Sequence, residues 1–284
     1  MSPAADSTAR FSSRVADYIS SRPSYPTQML SLLSKSFNLQ QGSTIVDIGS
    51  GTGILSVLLL EHFKDNNVKV IGLEPNKEMR QAAEELLAPH VESGRFISMD
   101  GTAEATGLED QSADLVVAAQ AFHWFDIPRA RKECQRIMKH GRGGVALIWN
   151  DRRGVQDAAE VRKAEFADFD YSRLDEPVTG AYELLLVRRG VDYKKVDHHK
   201  TVDRASLEAF FGPEGFKRDT FENPYKLSFE QLKGRLLSSS YTPQEGQEGY
   251  EAMIEELRQL FDKYQKEGKV DFVYDTRVFY GSLS

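Results

Sequence analysis

The sequence predicts an α/β protein with a doubly wound, mostly parallel sheet, and three observations support this prediction. Short runs of branched and apolar residues recur between residues 42 and 150 of the 284-residue chain. Segments with helical spacing separate these runs, and a glycine-rich turn follows the first of them. Alternation of this kind is the signature of parallel strands with helices on both faces of the sheet.

Five strands are predicted in this core. The runs are Ser43–Ile48, Val68–Leu73, Arg95–Met99, Asp114–Ala119 and Gly144–Trp149. Near-continuous apolar runs of this length suit strands that are covered on both faces. Because crossovers between parallel strands are right-handed, few topologies remain possible.

Two helices of the core are recognisable from their spacing and ends. The first follows the glycine-rich turn and places on one face Leu55, Leu58, Leu59 and His62. The second is predicted over 127–140, with Asp126 as its N-cap and Gly141 as its stop signal.

Two regions flank the 42–150 core. Residues 1–41 are predicted to form a helical lead-in, in which one helical face carries Met29, Leu30, Leu33 and Phe37. Residues 151–284 are more charged and mixed, and 151–215 show no dominant period. Near the end, an apolar stripe from Tyr250 to Tyr264, stopped by Gly268, predicts a helix, and Val270–Tyr280 predicts a final strand.

Composition excludes several classes of function. Lys and Arg number 36 against 43 Asp and Glu, so a protein that tracks nucleic-acid phosphates is disfavoured. The single cysteine, Cys134, permits neither an internal disulfide nor a zinc cluster, and His198 and His199 lack further ligands, so we expect no metal. Apolar stretches fall short of the ~20 residues that a membrane span needs. We expect a soluble, cytoplasmic protein.

The most informative motif is the segment Ile45–Gly53, in which glycines stand at 49, 51 and 53. Such a turn lets the backbone approach a ligand closely, and the helix that follows offers free N–H groups. The spacing is G-x-G-x-G with bulky Ile54 next, whereas the dinucleotide fingerprint is G-x-G-x-x-G. Asp47 adds a carboxylate that disfavours a pyrophosphate and favours an ammonium group. These features favour a nucleoside that carries an amino acid.

An acid also follows the second predicted strand. Glu74 stands where that strand ends, and ligands of parallel α/β sheets bind beyond the carboxyl ends of the strands. An acid at this position can accept hydrogen bonds from both hydroxyls of a ribose. We therefore predict that Glu74 binds the ribose of the nucleoside.

Together these segments resemble the motifs of class I S-adenosylmethionine-dependent methyltransferases. The core likeness rests on Asp47–Gly53, Leu73–Pro75, Gly101–Glu104 and Ser112–Val117. Within that superfamily the chain is similar to small-molecule enzymes of the ubiquinone/menaquinone and trans-aconitate type. A narrower likeness rests on Tyr18, Arg22–Pro26, Ala121–Asp126, Ser238–Tyr241 and Tyr274–Thr276.

The resemblance implies a fold and a set of roles. The sheet would have seven strands with an antiparallel last strand, residues 1–41 would form a lid, and 151–284 would contain an acceptor-pocket insertion and the closing strands. The cofactor, S-adenosyl-L-methionine, would be bound by these residues: Tyr18, Arg22, Asp47, Gly49, Ser50, Gly51, Gly53, Glu74, Thr102, Ala103 and Gln120. Thr102 and Ala103 would meet the adenine and Gln120 the methionyl portion. Relatives more often carry an acid at the position of Thr102.

His123 is the candidate catalytic residue, because it follows the fourth predicted strand, where the acceptor would meet the methyl group. Its ordinary pKa of ~6.5 suits a base at neutral pH. The alternative is that Phe122–Phe125 form a packed aromatic wall that shapes the pocket and excludes water.

The leading hypothesis is a methyltransferase that acts on a small molecule as a monomer or homodimer, with O-methylation of a carboxylate or hydroxyl as the preferred chemistry. No nucleic-acid partner and no membrane insertion are expected. Two alternatives are a nicotinamide-dependent oxidoreductase and a non-catalytic cofactor-binding subunit that regulates a partner.

Overall fold

A computed structural model describes residues 22–141, 143–153, 177–191, 193, 204–213, 215–239 and 241–283. Tyr18, the first half of the predicted lid, and His198–His199 lie outside these ranges.

The described residues form one sheet and the helices packed around it. The strands are β1 (Thr44–Ile48), β2 (Lys69–Leu73), β3 (Phe96–Met99), β4 (Leu115–Ala119), β5 (Gly144–Arg152), β6 (Lys217–Leu227) and β7 (Val270–Gly281). The α-helices are α1 (Thr27–Ser36), α2 (Ile54–His62), α3 (Lys77–Leu86), α4 (Ala88–Glu92), α5 (Ile127–Ile137), α6 (Pro177–Arg189), α7 (Arg204–Phe211), α8 (Phe229–Leu237) and α9 (Tyr250–Tyr264).

The sheet has seven strands in the order β3-β2-β1-β4-β5-β7-β6. Strands β1 to β5 are parallel to one another, and β7 runs antiparallel to both β5 and β6. The predicted doubly wound sheet with an antiparallel last strand is therefore confirmed. The carboxyl ends of β1, β2, β4 and β5 meet at one edge of the sheet, which we call the carboxyl edge.

Three apolar clusters hold the helices in place. One face of the sheet packs against α1, α2 and α3, and the opposite face packs against α5 and α7. The predicted apolar face of α1 is confirmed, because Met29, Leu30 and Leu33 are buried. In the second cluster Cys134 of α5 is buried. A third cluster joins α6, α8 and α9 to β7.

Two predicted boundaries were wrong. The helix predicted over 127–140 ends at Ile137, because Met138 is extended (φ −71°, ψ 139°) and Lys139 then donates its N–H to Ala113 O (2.9 Å). The Asp126 cap is confirmed, since its side chain accepts from Arg129 N. Strand β5 runs to Arg152, three residues past the predicted end at Trp149, because β7 pairs with it as far as Tyr274.

The sequence analysis missed β6 altogether. This strand lies at the edge of the sheet, carries Pro224 and exposes about every second residue, so it lacks a continuous apolar run. Helix α8 was also missed, although Ser228 and Gln231 form a capping box at its start.

Among the described residues, no helix combines the length and the apolar character that crossing a membrane would require. Within the same ranges, no group of three or more His, Cys, Asp and Glu side chains is placed to hold a metal ion.

Candidate active site

The turn between β1 and α2 brings the backbone to the carboxyl edge. Gly49 and Gly51 have positive φ angles of 70° and 56°, and Gly53, the N-cap of α2, has φ 84°. A side chain at position 49 would meet Ala121 Cβ at 2.6 Å, so this turn and the loop after β4 touch. At position 51 the nearest atom to an added Cβ is Met79 Sδ at 3.9 Å, so the outer side of the turn is open.

The turn is fixed to the end of β2. Gly49 N–H and Ser50 N–H both donate to Leu73 O, at 2.8 and 3.1 Å. This arrangement places Ser50 and the acid that follows Leu73 side by side.

Asp47 is a buried carboxylate with one free oxygen. Its Oδ2 accepts from Ser56 Oγ at 2.7 Å, whereas its Oδ1 has no hydrogen-bond partner in the described part of the chain. Burial, with a smaller contribution from the charge of Glu74, raises the Asp47 pKa to about 7, while the Ser56 hydrogen bond lowers it. A buried carboxylate oxygen without a donor fits a cationic ligand group such as an ammonium.

Glu74 links the turn to the start of α3. Its Oε2 accepts from Gly51 N–H at 3.1 Å and its Oε1 from Asn76 N–H at 2.9 Å. Burial raises the Glu74 pKa, although these two hydrogen bonds and Arg80 oppose the shift. Because a carboxylate has about four acceptor positions, Glu74 retains capacity for hydroxyl donors.

Several residues around this pair were not predicted. Ser56 meets Asp47 only because α2 packs over β1, and Arg80 donates to Glu74 O at 2.6 Å from the next helix. Asn76 caps α3 by accepting from Met79 N–H at 2.9 Å, and an Asn before a helix is a signal that could have been noticed.

Thr102 and Ala103 lie in a tight turn after β3. Thr102 is exposed and forms an isolated bridge with Ala105, and Ala103 is buried in the second cluster. Of these two residues, only Thr102 has a side chain that is accessible to a ligand.

Gln120 directly follows β4 and has a left-handed conformation with φ 56°, which is uncommon for a residue with a side chain. Its N–H donates to Ile148 O at 2.9 Å, and its Nε2 donates to Asn150 O at 3.1 Å. These bonds fix Gln120 at the carboxyl edge beside β5.

The aromatic segment after β4 faces two ways. Phe122 is buried and packs edge-on against Phe210 (5.1 Å between centroids) and Trp149 (6.1 Å). His123 is partly buried and its ring lies 4.8 Å from that of Trp124, which is 39% exposed. Within the segment, Phe122 therefore belongs to the core, whereas His123 is only partly buried beside the exposed Trp124.

The chain before α1 is attached to the rest of the fold through Ser24 and Arg22. Ser24 O accepts from three donors: Asn223 Nδ2 (2.8 Å), Asn150 Nδ2 (3.0 Å) and the Tyr225 hydroxyl (3.3 Å). Arg22 Nη2 donates to Ser238 O at 3.2 Å. Of the predicted lid residues, Arg22 thus contacts the C-terminal end of α8, and Tyr18 lies outside the described residues.

The same contacts bring together the motifs of the narrower likeness, which are far apart in sequence. Ser238 of the Ser238–Tyr241 motif meets Arg22, and Thr276 of the final motif donates to Asn150 Oδ1 at 2.5 Å. Asn150 in turn holds Ser24, so the motifs meet at one place on the carboxyl edge.

The fold and this site define a class. A seven-stranded sheet with an antiparallel strand, a glycine turn after β1 that carries a buried acid, and a second acid after β2 are the features of class I methyltransferases. A family described as "Methyltransferase domain" matches residues 46–148, which run from within β1 into β5.

Similar proteins agree with this class. An uncharacterized methyltransferase of Schizosaccharomyces pombe is 29% identical over 269 residues, which cover 92% of this chain and 92% of that protein. A putative type II methyltransferase structure from Anaeromyxobacter dehalogenans superposes with a TM-score of 0.59 at 20% identity, covering 92% of this chain and 98% of that one.

A Geobacter sulfurreducens S-adenosylmethionine-dependent methyltransferase, solved with S-adenosyl-L-homocysteine, gives a TM-score of 0.51 at 15% identity over 93% of each chain. Likeness at these identities bears on the fold alone. The domain match over residues 46–148, together with the Schizosaccharomyces pombe relative that matches 92% of the chain, supports an S-adenosylmethionine-dependent methyltransferase.

Proposed function

We propose that this methyltransferase moves the methyl group of S-adenosylmethionine to a small-molecule acceptor, by O-methylation of a carboxylate or hydroxyl. The single observation that supports the binding mode is the Oδ1 of Asp47, which lies just before the glycine turn and has no hydrogen-bond partner among the described residues. A buried carboxylate oxygen favours a cationic amino-acid portion over a diphosphate.

The proposed cofactor contacts follow the sequence prediction. Asp47 would take the ammonium group, the open side of Gly51 would admit the ligand next to the backbone, and Glu74 would accept from the ribose hydroxyls. Gln120 would bound the methionyl portion on the side of β5, and Thr102 would meet the adenine edge.

The cofactor supplies the reactive methyl group on a positively charged sulfur. The chain's own residues orient the acceptor and exclude water, and such positioning can account for ~7–11 kcal/mol of the barrier. A carboxylate acceptor needs no base, whereas a hydroxyl acceptor must lose its proton. His123, partly buried after β4, is the candidate group for receiving that proton.

Incubation with methyl-labelled cofactor and a metabolite extract tests the proposal. We expect a labelled product whose mass exceeds that of its precursor by one methylene, and hydrolysis in mild base would identify an ester. No labelled product, with S-adenosylhomocysteine still bound, would instead support the non-catalytic cofactor-binding alternative.

The match to a methyltransferase domain favours the proposal over a nicotinamide-dependent oxidoreductase. A thermal-shift comparison of S-adenosylhomocysteine with NAD tests this preference.

A further inference from the structure

Arg235 of α8 is a buried cation for which no described residue serves as an anionic partner. The residue is 8% exposed, and its Nη1 is buried with no hydrogen bond to any described residue. Across the described ranges no Asp or Glu lies within ion-pair distance of it. A buried charge of this kind is costly unless a partner satisfies it.

Aromatic packing explains only part of this environment. The guanidinium lies 4.0 Å from the centroid of the Tyr225 ring and 5.3 Å from that of Tyr274. Stacking of this type uses the flat face of the guanidinium. The N–H donors lie in the plane of the group and still require an acceptor.

A second arginine near the third cluster, Arg152, has the anionic partner that Arg235 lacks among the described residues. Arg152 donates to Glu183 Oε2 at 2.6 and 3.0 Å and to the Tyr193 hydroxyl at 2.9 Å. Glu183 therefore neutralises Arg152 and leaves Arg235 with the excess positive charge. Tyr182, which also lies in this cluster, does not offset that charge, because burial keeps its pKa well above the ordinary value.

The Tyr225 ring that stacks on Arg235 is linked by hydrogen bonds to the carboxyl edge. Tyr225 and Asn150 donate to the same oxygen, Ser24 O, and Asn150 O accepts from Gln120. A chain of four hydrogen-bonded residues therefore connects the ring stacked on Arg235 with the proposed cofactor site: Tyr225, Ser24, Asn150 and Gln120. Tyr274 is on β7, two strands from β4, which is roughly 10 Å at ordinary strand spacing.

We propose that Arg235 binds a carboxylate of the methyl acceptor at the edge of its guanidinium, beside the Tyr225 and Tyr274 rings, so that the substrates are small carboxylic acids. This inference rests on the proposed function of the site. Arginine suits the role, because its fixed fork of donors matches the two oxygens of a carboxylate. The carboxylate would supply the acceptor that Nη1 lacks among the described residues.

Calorimetry on the full chain, saturated with S-adenosylhomocysteine, tests this proposal. The probes are benzoate, hexanoate and adipate, each paired with its uncharged amide. We expect the wild-type protein to bind at least one carboxylate about tenfold or more tightly than its amide, since charge-assisted hydrogen bonds are about twice as strong as neutral ones. Arg235→Met should reduce this preference to about twofold or less, and Arg235→Lys should keep part of it.

Arg258→Met is the matched control. Arg258 also stacks on an aromatic ring, with its guanidinium 3.1 Å from the Phe229 centroid, but it is exposed on α9. This variant should keep the wild-type preference for carboxylates. If Arg235→Met unfolds, Arg235→Gln, which retains a polar side chain, replaces it.

Two results would overturn the proposal: no carboxylate preference in the wild-type protein across the panel, or a preference that survives in the Arg235 variants. Failure of the proposed function is distinguishable, because the wild-type protein would then neither bind S-adenosylhomocysteine nor form a labelled product.

Discussion

Asp47 is the residue whose protonation decides how well the glycine turn receives a cation. Its pKa is raised to about 7 by burial, so the carboxylate that would pair with an ammonium exists mainly above neutral pH. We expect affinity for S-adenosylhomocysteine to rise roughly tenfold or more between pH 5.5 and 8. Below its pKa, the ionised fraction of a carboxyl group changes about tenfold for each unit of pH. Calorimetry across this range measures the effect, and Asp47→Asn should flatten the profile.

The same shift has an opposite effect on the unliganded protein. Folding holds a proton on Asp47 that the unfolded chain releases above pH 3.8, so this contribution to stability is present below pH 3.8 and is lost as pH rises to about 7. Asp47→Asn should therefore be more stable than wild type at pH 8. Denaturant unfolding of both proteins at pH 5 and pH 8 tests this prediction. The same difference in free energy of unfolding at the two pH values would contradict it.

Glu74 has two roles that a single substitution would mix. It binds Gly51 N–H and Asn76 N–H, and it is proposed to bind the ribose. Glu74→Ala should weaken S-adenosylhomocysteine binding by ~1–3 kcal/mol, the cost of losing hydrogen bonds to a charged acceptor. The 2′-deoxy analogue separates the roles: wild type should prefer the ribose form, and the variant should not. An equal preference in both proteins would refute the ribose contact.

His123→Ala separates the two interpretations of the aromatic segment. If His123 accepts a proton from a hydroxyl acceptor, kcat should fall by ~10²–10⁴-fold, the usual contribution of a general base, with cofactor affinity near normal. That loss should shrink at high pH, where the acceptor ionises without help. Phe122→Leu, which alters the buried ring at the other side of the segment, should change stability rather than the pH profile.

The Ser24 carbonyl is the main point at which the chain before α1 is hydrogen-bonded to β5 and β6. Asn223→Ala removes the shortest of the three hydrogen bonds to Ser24 O, and we expect a loss of ~1 kcal/mol in the attachment of this segment. Hydrogen exchange of a peptide spanning 22–36 should then accelerate. Lys226→Ala on the same strand is the control, because Lys226 is exposed and pairs with Asp271, away from Ser24. Equal exchange in both variants would argue against the attachment.

Elements were predictable where burial leaves a pattern in the sequence. Strands β1, β4 and β5 are covered on both faces and therefore appear as apolar runs. The edge strand β6 has Asn223 and Leu227 buried and most of its other residues exposed or half-buried, so no run marks it. Asp47 and Glu74 were predictable because each ends a strand, whereas the contact of Asp47 with Ser56 depends on how α2 lies over β1.

Over the whole molecule, the order of the strands explains why the site is scattered along the chain. Strand β7, the last in sequence, inserts between β5 and β6, so Tyr274 and Thr276 come to lie beside Asn150. The sequence contained each of these motifs, but their meeting point could not be predicted, because it depends on which strands become neighbours. The contact of Arg235 with Tyr225 and Tyr274 could not be predicted for the same reason.

Cys134 offers a way to follow the molecule as it opens. It is the single cysteine of the chain, it is buried between α5 and the sheet, and burial raises its thiol pKa to about 12. A thiol reagent should therefore label the native protein only through transient opening of this layer. S-adenosylhomocysteine, whose proposed site lies on the neighbouring strands, should slow labelling by a factor that grows exponentially with the stability it adds. The single cysteine would then report ligand binding without any engineered probe.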